Sequence, residues 1–205
     1  MLKPQDIVIL LKLLSKINSL PDEPWSLSQL ATYLCMSTSE IHAGVKRLVL
    51  SGLLGLGYRE DKPIYLPIIS ACEECLISGI KYFFPAELGA YTRGIATSYA
   101  APIFAKHILL GDDPIPVWPY AEGDQRGLAL KPLYSSVPYS LTQYPDQLFY
   151  ELLTLIDAIR SGRVRERNVA IKLLKERINY EQQTQTSNIK SGNAKNSGKK
   201  TRKTK

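Results

Sequence analysis

The sequence predicts a mainly helical protein with one small β-hairpin near its N-terminus and an irregular-to-helical region after it. Three observations carry that reading. Apolar residues recur at three- and four-residue spacing before residue 52 and again after residue 145, the period of a helix with one buried face. Two short strand-like runs, Leu53 to Tyr58 and Pro63 to Leu66, flank a polar turn. Between residues 86 and 144 the chain is rich in Pro, Tyr and Gly and shows little periodicity, which predicts extended, loop-like packing.

The first helix is predicted from Pro4 to Asn18, with Ile7, Leu10, Leu11, Leu14 and Ile17 as its stripe and Pro4 in the first turn. Val8, Ile9 and Leu13 lie off that stripe, so the helix is expected to pack against more than one neighbour. Pro21 and Pro24 stop it. Ser26 caps a short helix carrying Leu27, Leu30, Ala31 and Leu34, and Cys35-Met36 make a tight connection. Ser37 with Glu40 three residues later is a capping box, in which each side chain satisfies an amide left open at a helix start. The helix it opens buries Ile41, Val45 and Leu48, and Gly52 is a natural stop. The hairpin turn that follows is Arg59-Glu60-Asp61-Lys62.

Further along, ISACEECLISGIKYFF from Ile68 returns to helix and stops before Pro85. Pro145 to Ile159 is strongly amphipathic through Leu148, Leu152, Leu155, Ile156 and Ile159, and Ser161-Gly162 breaks it. A last helix runs from Val164 to Ile178. From Gln182 the chain holds only Ile189 and Ala194 as apolar residues, a composition that predicts disorder. The expected units are therefore 1–67, a helical and aromatic-rich region 68–181, and a basic tail 182–205.

Helix, helix, helix and hairpin in that order over residues 4–67 resemble the winged helix-turn-helix transcriptional regulators, the broad class that includes the multiple-antibiotic-resistance regulators. The resemblance covers about a third of the chain and no catalytic motif. It implies that the helix after Ser37 enters the major groove of duplex DNA and that two copies act together on paired half-sites. Positions turned away from its buried stripe are Thr38, Ser39, His42, Ala43, Lys46 and Arg47. Ser39, His42 and Ala43 are the base-edge candidates, Ala43 toward a thymine methyl, and Lys46 toward guanine or phosphate. Arg59 and Lys62 at the hairpin tip are candidates for the minor groove or backbone, although Glu60 and Asp61 repel phosphate. The surplus apolar residues of the first helix and the C-terminal helices are the expected dimer surfaces.

Charge qualifies this picture. The net charge of +7 is matched by the tail, which holds seven basic and no acidic side chains, so residues 1–181 balance to zero. Basicity is thus no argument about the folded part. A second expectation follows: a winged protein-interaction adaptor, such as the neutralising partner of a toxin or a subunit of a defence or mobile-element complex, with residues 68–181 as the partner surface. Arg160, Arg163, Arg165 and Arg167 cluster near acidic Asp157 and Glu166, a pattern that fits salt bridges as well as anion binding.

Enzyme chemistry is not expected. There is no Walker loop, nucleophile elbow, metalloprotease helix or dinucleotide fingerprint, and Glu122, Asp124 and Arg126 read as a charged loop. No cofactor or metal is expected either. Cys72-x-x-Cys75 has no second pair, while Cys35, His42 and His107 are scattered. Without a secretory signal or a spanning apolar run, the sequence predicts a cytoplasmic protein that does not enter membranes.

Overall fold

A computed structural model describes residues 1–16, 26–59 and 62–178, the side chains of 58–63 excepted. The fold is mixed α/β, predominantly helical, with a two-stranded hairpin and a three-stranded barrel. The expected tail, the whole first loop with Pro21 and Pro24, and the expected end of the first helix at Ile17 and Asn18 lie outside the described residues.

Helix α1 (Pro4–Leu14) starts where expected, with Pro4 in its first turn and the Lys3 amide donating to Asp6 Oδ2 at 2.8 Å. Ile7, Val8, Ile9, Leu10 and Leu11 are all fully buried, so α1 is enclosed on every side. One side meets α3 and another meets α7. This corrects the expectation that its surplus apolar residues form a dimer surface: Val8 and Ile9 are fully buried by the chain's own elements, Ile9 against Gly44 of α3.

Helix α2 (Leu27–Leu34) opens on a Ser26–Gln29 capping box and closes on Cys35, whose left-handed φ of 51° makes the abrupt turn into α3 (Thr38–Leu50). Ser37 and Glu40 cap α3 reciprocally, and Ile41, Val45 and Leu48 face inward. Gly52, at φ 70°, turns the chain into strands β1 (Leu54–Arg59) and β2 (Lys62–Pro67), antiparallel in register from Leu54↔Pro67 to Arg59↔Lys62. The predicted next helix forms as α4 (Ile69–Glu74), a π-helical turn (Cys75–Gly79) and α5 (Ile80–Phe83).

The stretch expected to be loop-like departs from that reading. It contains β3 (Leu88–Ala96), two 3₁₀ turns (Ser98–Ala100, Pro102–Phe104), β4 (Pro116–Pro119) and β5 (Gln125–Leu130). β3 pairs antiparallel with both β4 and β5, and those two pair in parallel, closing a very small barrel. Closure this tight brings backbones together: a Cβ at Gly94 would lie 1.9 Å from the Trp118 carbonyl oxygen, and one at Gly127 would lie 1.9 Å from that of Ile115.

Helix α6 (Val137–Gln143) rests on α2, where Ser136 Oγ donates to the Leu34 carbonyl at 2.7 Å and Tyr144 meets Tyr33 edge-on at 5.4 Å. Helix α7 (Gln147–Ser161) is capped by Asp146 and is nearly all buried from Leu152 to Ile159. Helix α8 spans 164–178 and packs back through Lys175–Glu73 and Arg177–Glu151 ion pairs. The apolar core is continuous from Ile7 to Ile178 and crosses position 67 without a break.

At the barrel's contact with α7 sits a buried polar knot. Asp157 Oδ2 accepts from Trp118 Nε1 at 2.6 Å and Thr97 Oγ1 at 2.9 Å, while Arg160 donates to Oδ1 at 2.8 Å. Arg160 also donates through Nε to the Phe84 carbonyl at 2.7 Å. Burial pushes the Asp157 carboxyl up, against Arg160 and the two neutral donors. Of the four clustered arginines, Arg160 is therefore structural.

Candidate nucleic-acid interface

The capping box and the buried stripe together fix which side of α3 reaches solvent. Thr38, Ser39, His42, Ala43 and Lys46 are all exposed and lie along that side, unobstructed among the described residues. The helix N-terminus that carries them is held in place from behind. Glu40 accepts from Ser37 at both its amide (3.0 Å) and its hydroxyl (2.8 Å), and also from the Tyr134 hydroxyl. The Tyr134 bond, then the Ser37 bonds, hold the Glu40 carboxyl below its ordinary range, and the same contact raises the Tyr134 phenol. Loop 131–136 thus braces α3 without covering its outer side.

Arg47 behaves differently from its expected role. Its Nε and Nη2 donate to Asp6 Oδ2 and Oδ1 at 2.7 and 2.6 Å, a two-pronged pair with a carboxylate that is fully buried. A guanidinium so engaged joins α3 to α1 and is not on offer to phosphate. Gly44 sits beside it, where a Cβ would meet Ile9 Cδ1 at 2.4 Å, so the two helices cross closely. Nothing in the sequence marks this pair: Asp6 reads as a first-turn acid, and 41 positions separate the partners.

The hairpin tip is the other candidate surface. Arg59 and Lys62 face each other across the end of the ladder, but their side chains, with Glu60 and Asp61, lie outside the described residues. Beside them the described hairpin is apolar. Leu56 is 51% exposed, Leu66 40% and Ile68 41%, and Leu50 at the end of α3 reaches 82%. Sequence periodicity did not single these residues out, because an exposed Leu in a strand or last turn looks like a core residue.

The remaining sequence candidates do not converge. Glu122 and Asp124 are exposed on the loop leading into β5, and Arg126 is exposed within that strand. Cys72 is buried, with its thiol donating to the Leu53 carbonyl at 3.3 Å, and burial followed by Cys75 pushes it up to about 12. Among the described residues no three His, Cys, Asp or Glu side chains are grouped to hold a metal ion, and no helix is long and apolar enough to cross a membrane. No family model, curated protein or solved structure matches the chain.

Proposed function

We propose that the chain is a winged helix-turn-helix regulator that binds duplex DNA sequence-specifically as a homodimer, with α3 in the major groove. The observation that supports this reading most is the outer side of α3, polar and open, on a helix whose start is fastened by Ser37, Glu40 and Tyr134. Ser39, His42 and Ala43 lie nearest the helix start and are the base-reading residues, and Lys46 serves guanine or phosphate. With Arg47 engaged by Asp6, phosphate binding falls to Lys46, Arg59, Lys62 and the tail lysines.

The test is an anisotropy titration of the full chain against the promoter region of its own gene at two salt concentrations. The double variant His42→Ala, Lys46→Ala is expected to lose about tenfold or more in specific affinity, while deletion of 183–205 lowers the salt slope and keeps the sequence preference. If tail deletion alone removes all binding, α3 does not read DNA. Light scattering checks the dimer, and a monomer at micromolar concentration with no dimer on DNA would sink that part of the reading. The exposed Leu50, Leu56, Leu66 and Ile68 favour a second reading, an adaptor that meets a protein partner through the hairpin and the end of α3.

A further inference from the structure

An open cleft of about 480 Å³ lies between the barrel, the loop after the second 3₁₀ turn and the junction of α7 with α8. That volume is in the range of small-molecule sites. Leu88 and Leu128 of the barrel and Ile108 and Ile115 of the loop give it apolar walls.

Two opposite charges border this apolar space from different elements: Asp113 from the loop and Arg163 from the α7–α8 junction. Both side chains are exposed, and among the described residues neither the Asp113 carboxylate nor the Arg163 guanidinium has a hydrogen-bonding or ionic partner. Glu166, the other acid on the lining, is occupied as a cap, accepting from the Arg163 backbone amide. The Tyr99 phenol sits among all three. Burial, Glu166 and Asp113 push it up, against the Arg163 guanidinium, so these charges act on one point of the cleft.

We propose that this cleft binds a small zwitterion with an apolar body, an apolar amino acid or short apolar peptide, whose carboxylate pairs with Arg163 and whose ammonium pairs with Asp113. Neutral apolar molecules would fill the walls but strip water from two charges without replacing it, which is costly. An anionic amphiphile would satisfy Arg163 while meeting Asp113 and Glu166, and a cation would meet Arg163. Opposite charges on one ligand satisfy both ends. The inference does not rest on DNA binding.

Calorimetric titration of the full chain tests it with four probes: L-leucine, the dipeptide Leu-Leu, and Leu-Leu blocked either as its amide or by N-acetylation. At least one zwitterion is expected to bind in the millimolar range or tighter, and each blocked form about tenfold more weakly. Arg163→Gln should abolish discrimination against the amide, and Asp113→Asn discrimination against the acetyl form, with thermal melting unchanged because both side chains are exposed. Preference for Leu-Leu over leucine points to peptides, and the reverse to free amino acids. No binding by any probe up to about 10 mM, blocked forms equal to the zwitterion, or variants that discriminate like the parent would each overturn the proposal.

Discussion

Asp146 joins α1 to α7 with one carboxylate. Its Oδ1 accepts from the Phe149 amide at 3.1 Å to cap α7, and its Oδ2 accepts from Lys12 at 2.8 Å and Ser15 at 3.3 Å on α1. Lys16 also approaches it, at 3.2 Å. Burial alone would raise this carboxyl, but Lys12, the Phe149 amide and Lys16 together hold it below its ordinary range. Lys12 is itself lowered, chiefly by burial, and its side chain is only 3% exposed. Asp146→Asn keeps a cap acceptor but removes the buried anion that faces Lys12 and Lys16, so urea denaturation should show a loss of about 3 kcal/mol. The pH dependence has a definite sign. A carboxylate with a depressed folded pKa contributes stability above its unfolded value, near 4. That contribution is lost as pH falls from about 4 through the lower folded value. Wild type should weaken over that window, and Asp146→Asn should weaken less; equal acid sensitivity of the two would contradict the assignment.

At the scale of elements, local and remote determinants separate cleanly. Helix α3 is bounded by signals within its own sequence, the Ser37–Glu40 box and Gly52, and it forms between them. Helix α7 likewise begins at Asp146, next to Pro145. The barrel has no comparable local signature. Strand β3 is mostly exposed until Gly94 and shows no two-residue alternation, while β4 is four residues ended by prolines. What defines these strands is mutual approach, and glycine makes it possible. Gly127→Ala places a methyl against the Ile115 carbonyl and should cost about 3 kcal/mol in chemical denaturation or prevent folding. Gly111→Ala, with nothing within 4 Å of the added Cβ, should be close to neutral. A Gly127→Ala protein as stable as Gly111→Ala would show that the strands do not close as described.

For the whole molecule, the decisive fact is the enclosure of α1. A helix fully buried at five consecutive positions needs cover on all sides, and part of that cover comes from α7. Residues 1–67 alone would expose that side of α1 together with Lys12 without Asp146. The fragment 1–67 is therefore expected to show no cooperative melting by circular dichroism. The full chain should unfold in a single transition, with tertiary and secondary signals coincident. A fragment that melts cooperatively would mean that the N-terminal unit is independent after all.

The amino-acid sequence by itself determined the first three helices, the caps at Ser26 and Ser37, the hairpin and the last two helices, since these depend on apolar period and on side chains within a turn of each helix end; α6, inside the stretch read as loop-like, was not among them. It also determined which residues of α3 turn away from the buried stripe, and hence Thr38, Ser39, His42, Ala43 and Lys46 as the candidate surface. Only the tertiary structure decided that Arg47 belongs to Asp6, that α1 is covered by its own chain, that 88–130 closes into a barrel, and that Asp113 and Arg163 border one cleft. The physical reason is common to all four. Each depends on backbone or charged groups far apart in sequence, whose meeting is favourable only once the shared core has brought them together.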